Sequence, residues 1–519
     1  MSLFRKLSGG NESARGTTKN FFIGCPEAEG ESTANSKIKL GEMFGDFLKV
    51  FHELDSEKFI ITGRKGSGKT AIAEYILFTA QNNANSFCSF IKSRDLNIQK
   101  VIQIGKENGL PFEDKLLFEW LILTKLINLF TEDNSLEDYK EFKDLKQFLN
   151  KNSGMVDIKE YEILEIVRTN SYDIALEYFK RVFSAKFKRD LGIKEHKAPF
   201  YKILPQLQQV VLSLLKENIS ADNEYILIFD DLDIGFHESD KNSIENITSV
   251  LRVAKDYNID FFGKNGINVK IIILLRDDLK RTIAKYNADT AKIFSSYEIP
   301  LVWYEHENYK RNVNAVGLKQ LINKRIAANF DKENLFCDPS DPWQSLIRDN
   351  PQYNGDSFKF VIDHTFFRPR DLILFFRTLP ANEFEIPLSY FDIRKLLTSY
   401  VEDLILEIKN ELTAIFSQDD IEKIFTSLKN LKRLRTPFSK SQILNEFHSV
   451  NLAYNHELAI IHLFDYSIIG NFDFVDGLPR VYFKFREKRE EPSIINFELK
   501  FIFCKAIELY LEKRESQRQ

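Results

Sequence analysis

The stretch Lys58-Phe-Ile-Ile-Thr-Gly-Arg-Lys-Gly-Ser-Gly-Lys-Thr70 decides how this chain folds. Its first half, Lys58–Thr62, is a short apolar run of the length of a buried strand. Its second half, Gly63–Thr70, has the spacing G-x-x-x-x-G-K-[ST]. Beyond it, Ala71–Ala80 carries Ile72, Tyr75, Ile76 and Leu77 at helical spacing. Glycines between a strand and a helix let successive backbone N–H groups curl around an anion, with no Cβ in the way. The helix beginning near Lys69 turns the positive end of its dipole to the same place. Gly63, Arg64, Lys65, Gly66, Ser67, Gly68, Lys69, Thr70 and Ala71 are therefore the candidate phosphate-binding residues. Lys69 is the mobile charge for the outer phosphates, and the Thr70 hydroxyl is a ligand for Mg2+. A Gly- and Lys-rich surface loop matches the same pattern by chance. Only the strand before it and the helix after it argue against that.

Working outward, Phe87–Ile91, Tyr225–Phe229, Val269–Leu275 and Ile299–Trp303 read as further strands, with a helical pattern over Lys241–Tyr257. Strands alternating with helices predict a parallel sheet covered on both faces. Tyr225–Phe229 runs into Asp230-Asp-Leu-Asp233, acids at the end of a buried strand. Asp230 is expected to hold Mg2+, and Asp231 to polarise an attacking water. Asp233 caps a helix or orients a neighbour. An acidic helix N-terminus is the competing reading of the cluster. Arg276, directly after Val269–Leu275, is placed to sense a terminal phosphate; a salt-bridged strand end explains it equally well. Arg368-Pro-Arg370-Asp371 opens a predicted helix, Leu372–Arg377. Pro369 suits a first turn, so Arg368 and Arg370 should project from a rigid start, or else pack on Asp371.

Elsewhere, residues 8–19 are mostly small and polar and read as a flexible tail, with order beginning near Phe21. Ile38–Leu54 shows helical spacing. The span from about 100 to 218 is helical in pattern, and helices dominate again from Asn308 to about Leu412. The last hundred residues show helix signals at Asp419–Leu428, Ser439–Phe447 and His456–Phe464. Candidate strands follow at Ser467–Gly470 and Arg480–Arg486, then a helix at Ser493–Glu512. That succession suggests a winged helix.

The 519 residues are 43% hydrophobic and 29% charged, with 72 basic against 76 acidic side chains. A disordered or collagen-like chain is excluded, and so is a global field favouring nucleic acid. The four cysteines form no CxxC pair, and a reducing cytoplasm is the simplest compartment. No membrane span or secretory signal is expected. Residues 426–440 hold Lys429, Lys432, Arg433, Arg435 and Lys440 without an acid, and Lys180–Lys197 and Arg480–Pro492 are also basic. Such a face contacts DNA, or is simply solvated or used for protein contacts. The histidines have no metal-ligand spacing.

Gly63–Thr70, Phe229–Asp233, Leu275-Arg276 and Arg368-Pro-Arg370 together resemble bacterial P-loop ATPases related to the STAND and KAP groups and to origin-recognition-like AAA+ proteins. The Asp-Asp-x-Asp motif is closer to STAND and KAP proteins than to the Asp-Glu of most AAA+ proteins. Gly24–Glu31 also resembles the segment before the phosphate loop in one bacterial branch. The resemblance implies an α/β fold: a parallel-sheet P-loop NTPase core at 21–305 with a large helical insertion at about 100–218. A tail at 1–20, a helical lid at 306–412 and a C-terminal winged-helix-like domain at 413–519 complete it. It implies an Mg2+-dependent ATPase switch, with a lid arginine reaching the γ-phosphate. It further implies a homo-oligomer or a separate effector partner, and a setting such as anti-phage defence. A DNA-binding regulator or loader governed by ATP is the alternative. KAP proteins commonly carry membrane helices, which this chain lacks.

Overall fold

The computed structural model describes residues 16–92, 114–130, 132–138, 204–217, 222–232, 241–353, 355–434, 436–486 and 494–516. Most of the insertion, the basic stretch 180–197, Asp233, Arg435 and residues 487–493 lie outside them. The described chain divides into two units, one of 49–65 and 69–301, the other of 1–48, 66–68 and 302–519.

The first unit is built on five parallel strands: β1 (Ile60–Gly63), β2 (Ser86–Lys92), β3 (Glu224–Asp230), β4 (Val269–Arg276) and β5 (Glu298–Pro300). Their order across the sheet is β2-β3-β4-β1-β5. β3 and β4 are apolar at almost every position and buried along nearly their whole length, as strands covered on both faces must be. Helix α1 (Lys69–Gln81) packs on β1 and β2, while α2 (Asp114–Phe130) packs on β2 and β3 and against α3 (Leu204–Glu217). Helices α4 (Lys241–Lys255) and α5 (Asp277–Tyr286) pack on β4. One apolar core runs from Phe59 and Ile60 through Leu227, Phe229, Ile271 and Ile273 to Leu126 and Leu251. The chain leaves β1 for the far edge of the sheet and returns through β3 and β4 to lie beside it. Connections after β1 and β4 therefore diverge, and the crevice at their carboxyl ends is where open α/β sheets bind ligands.

The second unit has its own apolar core, reaching from Phe21 to Leu511. It contains α6 (Gly317–Lys332), α7 (Pro369–Phe375), α8 (Tyr390–Leu412), α9 (Gln418–Leu434), α10 (Lys440–Ser449), α11 (His456–Asp465) and α12 (Lys505–Ser516). A second sheet has the order β7-β6-β8, with β6 (Ile469–Val475), β7 (Leu478–Tyr482) and β8 (Lys500–Phe503) antiparallel. Helix α8 buries Ile393, Leu397, Val401, Leu404 and Ile408 on one face and packs against α12. The expected lid and C-terminal segments thus share one core instead of parting at 412.

Four sequence expectations change. Ile38–Leu54 is not one helix: Leu40–Met43 and Val50–Leu54 are separate short turns, and Lys49 adopts φ 56°. Phe47 lies between the two turns, with its ring over Gly45 and its Cβ against Gly317 at the start of α6. Lys500–Phe503 is a strand, not the interior of a helix, since its buried and exposed side chains alternate beside β6. The tail is anchored from Gly16 onward: Thr18 N–H donates to Phe384 O at 2.9 Å, and its hydroxyl to Leu379 O at 3.0 Å. Finally, 21–31 joins the second unit. Arg325 donates to Ile23 O at 2.8 Å and makes a buried bidentate pair with Glu31 at 2.7 and 2.8 Å.

Candidate nucleotide site

Residues 63–70 connect β1 to α1 in the form that an anion-binding loop requires. Gly66 and Gly68 have φ of 78° and 98°, a region closed to most side chains. Lys69 folds its ammonium back over the loop, donating to Gly63 O at 2.9 Å and Arg64 O at 3.3 Å. Among the described residues the buried Ser67 hydroxyl meets no hydrogen-bond partner. A buried hydroxyl without a partner costs free energy that a phosphate oxygen would recover. These features fit a bound polyphosphate.

The acidic half of the site comes from β3. Asp230 is its last residue, 4% exposed, and accepts from the Thr70 hydroxyl through Oδ2 at 3.2 Å. Burial raises its carboxyl above the ordinary range, opposed by the Asp231 N–H, the Thr70 hydroxyl, Lys92 and Lys69. A hydroxyl and a buried carboxylate side by side suit a hard divalent cation that keeps most of its waters. Mg2+ bound there would screen the phosphate charge; Thr70 and Asp230 would hold it. Asp231 turns the chain through φ 58° and gives its N–H to Asp230 Oδ1 at 2.8 Å, which fixes the carboxylate above Thr70.

Arg276 ends β4 in register with Gly63. Its guanidinium forms two bonds to Asp278, at 3.0 and 2.6 Å. Burial pushes the Asp278 carboxyl up, but Arg276 and Arg281 together hold it below its usual range. Three groups of this unit were not singled out from sequence. Lys92, largely buried at the end of β2, stands opposite Asp230 in register. Asp277 starts α5 near Lys69; burial raises its carboxyl and Lys69 pulls it back. Glu298 accepts from Thr62 on β1 and from Lys280 at 2.6 and 2.7 Å. Lys92 ends β2 and Asp277 directly follows β4, and a charge at a strand end is the available signal.

In the second unit the expectation for Arg368 is corrected. It does not project from the start of α7. As the N-cap it is 4% exposed, bonded to Asp371 at 2.7 Å with Glu407 at 3.6 Å. Burial opposes its charge, yet Asp371 and Glu407 more than offset that and hold the guanidinium firmly protonated. Removing one partner of such a buried pair costs about 3–5 kcal/mol because the other charge is stranded. Arg368→Ala is therefore expected to lower stability by that order in denaturant unfolding; a change under about 1 kcal/mol would contradict the packing role. Arg370 is half-hidden, paired with Glu27 at 3.0 Å and Glu407 at 3.4 Å. In 426–440, Lys432 is taken by Glu508 and Glu512, and Lys440 by Glu457. Two of the segment's five cations are thus paired with acids.

The model of a FunZ-associated C-terminal helical domain matches residues 317–385, within the second unit. No curated protein matches the chain. Among solved structures, a Walker-type ATPase of Pyrococcus abyssi is similar at 12% identity and TM-score 0.38, covering 90% of this chain and 94% of that one. The ORC2 protein of Aeropyrum pernix, solved as ADPNP–ADP complexes, is similar at 10% identity and TM-score 0.36, covering 91% and 93%. Among the described residues no helix is long and apolar enough to cross a membrane. The glycine-built loop between β1 and α1, the acid-tipped strand beside it and the order β2-β3-β4-β1-β5 make this chain a protein of P-loop NTPase fold.

Proposed function

We propose that the chain binds Mg·ATP on the loop 63–70 and hydrolyses it, acting as a nucleotide-driven switch. One observation carries the reading: the Thr70 hydroxyl and the buried Asp230 carboxylate meet at 3.2 Å beside a loop whose backbone and lysine are arranged for phosphate. Lys69 neutralises the outer phosphates, the Thr70–Asp230 pair seats the cation, and Asp231 orients the attacking water. Positioning and electrostatics supply most of the catalysis in such sites, and the chain needs no covalent nucleophile. Ligand binding raises apparent stability by mass action. The melting temperature of the full chain is expected to rise with ATP and Mg2+, and to rise less when EDTA replaces the metal. An identical melting temperature with and without saturating ATP and Mg2+ would refute the reading.

A further inference from the structure

The three central residues of the phosphate loop, Gly66–Gly68, cluster with the second unit. Two of its donors hold their carbonyls. The Trp303 indole Nε1–H donates to Ser67 O at 2.8 Å, and the Arg370 backbone N–H to Gly66 O at 3.4 Å. Contact there is close: a Cβ built on Gly66 would lie 2.9 Å from Arg370 Cβ and Cδ. The Trp303 ring packs against the apolar core of this unit, with its edge over Gly317.

A trans peptide is planar, so its carbonyl and the following N–H point in opposite directions. Anchoring Gly66 O and Ser67 O on one side therefore fixes the N–H groups of Ser67 and Gly68 on the other. Successive N–H groups aimed the same way form a concavity for an anion. An indole nitrogen is a donor only, so it can hold a carbonyl and cannot compete for the loop's own N–H groups.

We propose that Trp303 is a positioning residue for phosphate binding: by gripping Ser67 O it aims the Gly68 N–H into the anion nest before the nucleotide arrives. The proposal rests on the ATP reading above. Oriented donors contribute to ground state and transition state alike, so their loss raises KM and leaves kcat nearly unchanged.

The test is Trp303→Phe in the full chain, beside wild type and Lys69→Ala. Phe keeps an aromatic ring, though a smaller one, and removes the N–H. A roughly 3- to 10-fold rise in KM for ATP and in Kd for ADP is expected, the worth of one oriented hydrogen bond. The expected kcat stays within about twofold of wild type, and the nucleotide-free melting temperature falls by no more than the few degrees that the lost ring volume explains. Wild-type KM and Kd in the variant would overturn the proposal while leaving the site intact. A parallel fall in kcat and melting temperature would make Trp303 a packing residue and overturn it too. If wild type binds no nucleotide, or Lys69→Ala binds as well as wild type, the ATP reading fails and takes the proposal with it. Should Trp303→Phe not fold, 5-fluorotryptophan is incorporated into a Trp120→Phe chain. The partly exposed Trp303 is told from the fully buried Trp343 by its solvent isotope shift. Its signal is expected to move with Mg·ADP and not with adenosine; no movement overturns the proposal.

Discussion

Lys69→Ala is expected to weaken ATP binding by about 10²-fold or more, with turnover lost at cellular nucleotide concentrations. A hydrogen bond to a charged group is worth about 1.5–3 kcal/mol, and one ammonium serving two phosphates makes at least two. At 1.4 kcal/mol per factor of ten, their loss spans roughly 10²–10⁴-fold in affinity. In the structure the ammonium lies on Gly63 O and Arg64 O, a position from which it can swing to an incoming phosphate. Both carbonyls lose this donor in the variant, so its unfolding is measured in parallel. Equilibrium titration with a fluorescent ATP analogue reads the effect. Wild-type affinity in a folded variant would remove the phosphate-loop assignment.

The second large effect separates the two aspartates. Asp230→Ala removes the carboxylate that accepts from Thr70, and with it metal binding and hydrolysis. Asp231→Asn keeps the backbone N–H that holds Asp230, so ATP should stay bound while turnover slows about 10²–10⁴-fold, the usual worth of a positioned base. Asn also tolerates the left-handed backbone that Asp231 adopts, so folding is spared. Phosphate release alongside ATP affinity gives both readouts. Normal turnover in Asp231→Asn together with slow turnover in Asp233→Asn would transfer the role of base to Asp233.

The inner strands of the main sheet are legible because Phe59–Ile61, Tyr225–Phe229 and Ile271–Leu275 are apolar runs soon followed by a glycine or a charge, whereas β5 ends at Pro300, three residues short of the expected Ile299–Trp303. Ile60–Gly63, Glu224–Asp230 and Val269–Arg276 differ from their sequence readings by only a residue or two at the ends. Pairing was not legible, because which strand lies beside β1 depends on contacts far apart in sequence. The same limit hid the fate of Gly24–Glu31, which is fixed by Glu31 meeting Arg325, 294 positions away. Lys500–Phe503 was missed for a local reason: Ile494, Ile495, Phe497 and Leu499 before it and Ile507 and Leu511 after it give the region a helical spacing. For Arg368 the helix start was legible, with Pro369 in the first turn, but the direction of the side chain was not. Asp371 and Glu407 capture it, and Glu407 lies on a helix whose packing no local pattern reveals.

The central claim is that this loop and this acid-tipped strand hydrolyse ATP. Single-turnover cleavage of γ-labelled ATP by an excess of the full chain tests it most directly, in Mg2+ and in EDTA. Labelled phosphate should appear in Mg2+ with wild type, far more slowly with Asp231→Asn, and not at all in EDTA or with Lys69→Ala. Cleavage that persists unchanged in Lys69→Ala, or no cleavage by wild type with ATP bound and Mg2+ present, would contradict it.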